Sequence, residues 1–521
     1  MDRALLAYAL LPIPPLLAGA LIPLLARFTP GACARWAQAA VIVPLAALAG
    51  AWILPALSAG GASGAEPVVQ LGFISTLLAV MVSLIALAVL RFGRRYLDGD
   101  PILPTFCALA SALVSAVLTM LVAGNFVTLA IGWVATGALL RRLLLLRADR
   151  PGAREAALAQ RRAAIVGDAS LVLAAGYALV FVGSANLEDV FAAAVDRPLF
   201  AVPMAILLAL SAMAMSAQLP FHTWLPDSME TPTPVSALLH AGVVNAGGVL
   251  LIRTSPLMLE APVVLAGLAF VGALSASVAA IVMLAQTDIK RKLAYSTLAQ
   301  MGFMLMQCGL GAFGAAALHL VGHSFYKAYA FLSSGSHAGP KPSPVELDGR
   351  PAPPAGLVTV LASVCVGVAL VLFACWALGV DVEAKAGAPV LISVLAIGIG
   401  QMLAAAQSVG GARRRRIAEG ALLGAVIAGV YFVGVGALDA RIGLPAQTLA
   451  ASPLATATAW AVAVFFVAGF ALQSALPRHA NHPLLRRLYV HARSGFYLGP
   501  LVQTLFERRR SRRLATPHGG E

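Results

Sequence analysis

The stretch Phe313-Gly-Ala-Ala-Ala-Leu-His-Leu-Val-Gly-His-Ser-Phe-Tyr-Lys-Ala-Tyr-Ala-Phe-Leu332 decides what kind of molecule this is. It has about the 20 residues a helix needs to cross the hydrocarbon of a bilayer, and it is apolar apart from a few polar groups, chiefly His319, His323 and Lys327. These three are spaced i, i+4, i+8, so a helix sets them on one stripe, a polar row about 12 Å long at roughly 1.5 Å per residue. An ionised side chain at mid-bilayer costs about 2.5–3.5 kcal/mol, which makes titratable groups in such a segment candidates for function. Histidine changes charge near neutral pH and a desolvated lysine is brought toward that range, so the row has the chemistry to pass protons. The competing reading gives each histidine a single hydrogen bond between helices, and three on one stripe weigh against it. Tyr326 and Tyr329 read either as added hydroxyls or as packing.

Working outward, apolar runs of similar length recur along the whole chain. Fifteen candidate spans begin near Leu5, Trp36, Val69, Ile102, Phe126, Ala163, Leu199, Val235, Ala261, Leu293, Phe313, Leu357, Val390, Leu422 and Ala457. With 521 residues, 60% of them hydrophobic and 11% charged, the chain holds more apolar side chain than globular cores need, which excludes a soluble enzyme. No cleavable signal is read: Asp2 and Arg3 lead into an apolar stretch longer than a signal's core. The five cysteines, Cys33, Cys107, Cys308, Cys365 and Cys375, are scattered through apolar runs and read as packers, with no zinc cluster and no disulfide framework.

The basic residues test the span count. Thirty of the 36 Lys and Arg fall in loops after odd-numbered spans or in the final tail. By the positive-inside rule those loops are cytoplasmic, which puts the N-terminus outside and the C-terminus in the cytoplasm of a bacterial inner-membrane protein. The net charge of +14 then reflects topology and contact with anionic lipid, and nucleic-acid binding is not expected. The Pro-rich loop from Gly335 to Gly356 reads as a linker, and the amphipathic stretch Leu484 to Leu505 with the cluster Arg508 to Arg513 as a membrane-surface anchor.

Other titratable candidates are few. His240 lies in a span and Asp168 near a helix start, while Asp227 and Glu230 lie in Gln218-Leu-Pro-Phe-His-Thr-Trp-Leu-Pro-Asp-Ser-Met-Glu-Thr-Pro-Thr-Pro234. Four prolines there read equally as an ordinary loop or as a broken helix lining a polar path.

The longer string Ser216-Ala-Gln-Leu-Pro-Phe-His-Thr-Trp-Leu-Pro-Asp-Ser-Met-Glu-Thr-Pro-Thr-Pro-Val-Ser-Ala-Leu-Leu-His240 resembles the signature of the antiporter-like subunits shared by respiratory complex I, membrane-bound hydrogenases and Mrp cation/proton antiporters. Asp288-Ile-Lys-Arg-Lys-Leu-Ala-Tyr-Ser-Thr297 and His319-Leu-Val-Gly-His-Ser-Phe-Tyr-Lys327 resemble further blocks, over about residues 70–440. Within that superfamily Leu239-His-Ala-Gly-Val-Val-Asn-Ala-Gly-Gly-Val-Leu-Leu-Ile-Arg253 and Ala299-Gln-Met-Gly-Phe-Met-Leu-Met-Gln-Cys-Gly-Leu-Gly311 are most similar to the membrane subunit of the Dab-type inorganic-carbon transporter. The resemblance implies a cytoplasmic, carbonic-anhydrase-like zinc partner that hydrates CO2 while ion flow through the membrane subunit drives uptake. Any zinc belongs to that partner, and no cofactor is expected in this chain.

Departures from the respiratory pattern matter as much. Those relatives place Glu after Gly-Trp in the fifth span, where this sequence has Gly132-Trp133-Val134, and Lys before Ser-Ala-Gln, where it has Met215. Losing both halves of a buried ion pair is coherent, because losing one strands a charge. The residues that match are His240, His319, His323 and Lys327, with Asp168 a weaker match.

The expected fold is therefore an all-α polytopic membrane protein of about 14–15 transmembrane helices, with two inverted antiporter-like repeats and broken helices. Its divisions are N-terminal helices over 1–100, repeats over 101–255 and 256–410, C-terminal helices over 411–476 and a basic cytoplasmic tail over 477–521. The expected function is a non-enzymatic subunit conducting H+, or Na+, along Lys327, His323, His319 and His240, with Glu230 or Asp227 at the cytoplasmic mouth. Rival readings are a proton-translocating subunit of a complex I, hydrogenase or Mrp-type assembly, and a non-conducting scaffold for a partner.

Overall fold

The computed structural model describes residues 10–26, 32–57, 72–337, 346–347, 350–351, 357–380, 387–408, 413–442, 453–475 and 482–499. Most of the Pro-rich loop, the chain before residue 10 and the cluster Arg508 to Arg513 lie outside the described residues. The helices are α1 (Ile13–Leu25), α2 (Cys33–Leu57), α3 (Phe73–Tyr96), α4 (Leu103–Val122), α5 (Phe126–Leu144), α6 (Pro151–Val182), α7 (Leu187–Asp196) and α8 (Pro198–Met215). They continue as α9 (Trp224–Asp227), α10 (Thr233–Ala241), α11 (Ala246–Arg253), α12 (Ser255–Leu259), α13 (Pro262–Ala285), α14 (Ile289–Gly309) and α15 (Phe313–Leu332). The last are α16 (Leu357–Ala377), α17 (Ala388–Ser408), α18 (Arg413–Ile442), α19 (Pro453–Ala475) and α20 (Pro483–Arg493). A two-residue antiparallel pair, Glu346–Leu347 with Arg350–Pro351, is the only sheet among the described residues.

Among the described residues each of the fifteen apolar runs is helical, the run near Val235 being split into α10 and α11. Ten segments among the described residues are long and apolar enough to cross a membrane. α14 and α15 have the length but not the apolarity, because they carry the polar side chains discussed below. Helix starts follow local chemistry. Proline opens α6, α8 and α13, where its missing N–H costs no hydrogen bond. Asn125 caps α5 by accepting from Thr128 N at 2.7 Å, and Asp288 caps α14 by accepting from Arg291 N at 2.7 Å. Gly183 ends α6 with a φ of +79° that a side chain would resist.

Small residues let the helices approach closely, as expected where lipid gives no hydrophobic drive between them. α13 and α14 form the tightest pair: a Cβ on Gly272 would stand 2.5 Å from Met306 N and 2.6 Å from Gly302 O. At the far end of α11, Arg253 ties the helix to α4 by donating to Met120 O at 2.6 Å and to Ala123 O.

The connection from 216 to 232 is a folded plug of short helices rather than a spanning segment, with a cis peptide at Leu219-Pro220. The break in a spanning helix falls one element later, at Gly242 to Asn245 between α10 and α11. The fifth long segment after residue 256, α17, runs unbroken.

Candidate functional site

The polar row on α15 faces the interior. Lys327 is fully buried, His323 is 5% exposed and His319 is half-buried. Tyr326 and Tyr329 are exposed, and the Tyr326 ring centre lies 5.6 Å from Lys327 Nζ. Lys327 Nζ donates to Ser296 Oγ at 2.7 Å and to Leu293 O at 3.2 Å, both on α14. One ammonium therefore has two protein acceptors for its three hydrogens. His319 and His323 lie edge to face with ring centres 6.0 Å apart, and His319 Nδ1 pairs with Gln307 Oε1 at 3.0 Å.

His240 joins this row from α10, fully buried and stacked on Phe331 with ring centres 4.3 Å apart. His323 feels the charges of His319, Lys327 and His240 together, so the four form one electrostatic cluster. Both ring nitrogens of His240 and both of His323 lack any hydrogen-bond partner in the protein. A buried imidazole left in that state costs free energy unless water or a mobile proton serves it.

The helix break sits beside these rings. Asn245 Nδ2 donates to Ala241 O and to Ser324 Oγ, each at 2.8 Å, so one side chain closes the break and fastens it to α15. Ser216 Oγ supports the same turn by donating to Val244 O at 2.7 Å. Asn245 Oδ1 remains unpartnered on the inside.

Asp227 and Glu230 are not in the row. They sit on the folded connection, between the first turns of α6 and α14. Asp227 lies 3.8 Å from Arg291, while the Glu230 carboxyl rests against α6, where a Cβ on Gly152 would come within 2.7 Å of its Cδ. That helix N-terminus favours a negative charge. Lys290 donates to Thr231 O at 3.2 Å, which places the connection less than two turns from Ser296 along α14, about 9 Å at 1.5 Å per residue. Burial pushes the Asp227 carboxyl up to about 6, with Arg291 opposing and Glu155 adding to the shift. Burial also pushes the neighbouring His222 down to about 4, which keeps it neutral.

Asp168 stands apart on α6, beside Gln160 and Met215. At the other end of the row, His319 opens on a cavity of about 370 Å³ between α14, α15, α17 and α18, walled mainly by apolar side chains, with Gln300, Gln307 and Tyr431 as further polar contributors. Sequence reasoning missed Ser296, Gln307, Asn245 and Ser324. The only signal was a polar residue inside an apolar run, which serine and asparagine give too often to be singled out. Among the described residues no group of three His, Cys, Asp or Glu is placed to hold a metal ion.

Comparison with known proteins identifies the family. Residues 123–343 match the family described as NADH:quinone oxidoreductase/Mrp antiporter, transmembrane. The chain is 35% identical over 452 residues to the "Probable inorganic carbon transporter subunit DabB2" of Halothiobacillus neapolitanus, covering 84% of this chain and 79% of that one. It is 42% identical over 270 residues to subunit DabB1 of the same organism, spanning 50% of this chain and 48% of that relative. Among solved structures the Mrp complex from Dietzia sp. DQ12-45-1b superposes with a TM-score of 0.57 at 25% identity, over 99% of this chain and 57% of that one. These relatives are transporter or antiporter-like subunits of multisubunit assemblies. Given the extent and identity of the match to DabB2, this multi-helix membrane protein belongs to the DabB family of inorganic carbon transporter subunits, within the superfamily of complex I and Mrp antiporter-like subunits.

Proposed function

We propose that the chain conducts protons through the bacterial inner membrane and so drives inorganic-carbon accumulation by a cytoplasmic, carbonic-anhydrase-like zinc subunit of the DabA type. The observation that carries this reading is the cluster of His240, His323 and Lys327, buried yet short of hydrogen-bond partners. Groups bonded to the limit hold their protons in place, whereas imidazoles with both nitrogens free are ready to take and give them. The path runs from the cavity at His319, through His323 and His240, to Lys327, and along α14 toward Asp227 and Glu230. The zinc chemistry of CO2 hydration lies in the partner, and this chain supplies the ion path and the anchor. The five long segments in each of 101–255 and 256–410 are read as two inverted repeats, with the N-terminus outside and the C-terminus in the cytoplasm.

Lys327→Ala and His323→Ala, each expressed with the partner subunit, test the proposal. Uptake of labelled inorganic carbon should vanish in both while the partner still co-purifies. Normal uptake and normal growth without added bicarbonate in both variants would remove the row from the mechanism. The family match to NADH:quinone oxidoreductase subunits supports one rival, a redox-coupled assembly. Iron–sulfur or quinone-reducing subunits in the purified complex, in place of a zinc protein, would establish that rival.

A further inference from the structure

A second, much smaller cavity lies beside Met215, the sequence position at which the respiratory relatives place Lys. Trp133 on α5, Gln160 and Asp168 on α6, Met215 at the end of α8 and Trp224 on α9 line it, and no lysine or arginine does. Its water-accessible space is about 10 Å³, close to the smallest that holds one water molecule. Trp133, Gln160 and Trp224 are 0%, 3% and 1% exposed. Four polar atoms on these walls have no partner in the protein: Trp133 Nε1, Trp224 Nε1, Gln160 Oε1 and Asp168 Oδ1.

The balance of those four atoms is informative. An indole N–H only donates, whereas an amide oxygen and a carboxylate oxygen only accept. Two donors facing two acceptors are the complement of one water, which accepts twice and donates twice. A cation suits the oxygens but meets two indole hydrogens, and an anion suits the indoles but meets Asp168. Asp168 and Gln160 meet beside α5, where a Cβ on Gly137 would stand 3.8 Å from both Asp168 Oδ1 and Gln160 Nε2. Gln160 Nε2 donates to Gly137 O at 3.3 Å, which turns the amide oxygen to the remaining side. Val134 does not contribute, being 37% exposed on the outer face of α5 while Trp133 points inward.

We propose that this cavity is a binding site for one ordered water molecule, which stands in place of the lysine ammonium and ties α5, α6 and α9 together through Trp133, Asp168, Gln160 and Trp224. Asp168 thus faces a neutral partner in the cavity, and Arg141, outside it, is the charge that acts on it. The site extends the proton-conducting reading to the first half of the chain, but the water itself does not depend on that reading.

The test is a high-resolution cryo-EM map of the purified complex, collected once in sodium and once in rubidium buffer, together with X-ray radiolytic footprinting. One peak within hydrogen-bond distance of all four atoms, equal in both buffers, is expected. Because a bound water generates hydroxyl radical where it sits, Met215 should oxidise about fivefold faster than the fully buried Met301 and Met306, and Trp224→Phe, which deletes one donor, should abolish that excess. A peak that grows denser in rubidium, an empty cavity, or Met215 labelling at the rate of Met301 would each overturn the proposal. Neither readout uses transport. Normal uptake by Lys327→Ala alongside a water peak would therefore sink the proton reading and leave this site standing.

Discussion

The row on α15 and the cavity beside Met215 are both polar sites in apolar helices, yet they are built from opposite stock. The row gathers His240, His323 and Lys327, whose protons are exchangeable, and leaves four imidazole nitrogens without partners. The cavity offers two indoles, one amide and a single carboxylate. Where both members of an ion pair are absent, burial is tolerated because no orphan charge remains. Where a buried ammonium is kept, the chain gives it Ser296 Oγ and the Leu293 carbonyl as acceptors. The difference suits the row to the proposed movement of charge and the cavity to a fixed hydrogen-bond network.

The largest effect should come from emptying the row of its ammonium. Lys327→Met keeps the length of the side chain and deletes the charge, so the complex should assemble and uptake should fall to background. Transport that persists in this variant would make the two regions equivalent and end the contrast. Next comes an attempt to restore the lost carboxylate at its sequence position. Val134 is 37% exposed on an outward face, so Val134→Asp sends a charge toward lipid at a cost of about 2.5–3.5 kcal/mol. Lower yield and a lower Tm are expected, with no gain in flux. A variant of full stability would mean that position 134 turns inward and that the cavity can hold a rebuilt pair.

Asn245→Ala probes how the row is held. It deletes two 2.8 Å bonds, one closing the helix break at Ala241 O and one fastening it to Ser324 on α15, and leaving Ala241 O and Ser324 without that donor costs about 1–3 kcal/mol. Thermal stability should drop accordingly and uptake should fall several-fold. Loss of stability with unchanged uptake would make Asn245 a brace and not part of the path.

How far the sequence foretells these regions depends on the kind of signal. The spans are legible because hydropathy and the segregation of arginines report on the same bilayer twice. The row is legible because a titratable residue in an apolar run is conspicuous, and i, i+4, i+8 spacing puts His319, His323 and Lys327 on one face. The site of the helix break was not. Four prolines at 220–234 pointed to the connection, whereas the interruption lies at Gly242 to Asn245, where a side-chain amide and not a proline rescues the freed backbone groups. The cavity was legible only as two absences, Val134 and Met215. Its actual lining comes from four helices, and no spacing rule joins Trp133 to Gln160, Met215 and Trp224.

The smallest predicted effect concerns Asp227, which lies at neither region but at the mouth serving the row. Its folded-state pKa of about 6 stands above the ordinary carboxylate value near 3.9. The folded protein therefore holds this proton more tightly than the unfolded chain, and the stability so contributed is complete below about pH 4 and lost as pH rises through about 6. Asp227→Asn cannot ionise and should escape that loss, so its Tm advantage over the native protein should be about half as large at pH 5 as at pH 7.5. Differential scanning of both proteins at the two pH values measures it. If the variant is instead less stable at pH 7.5, the 3.8 Å approach of Arg291 outweighs burial. Asp227 would then be half of a structural ion pair, and the row would have to empty through Glu230, whose carboxyl is set against the N-terminal turn of α6.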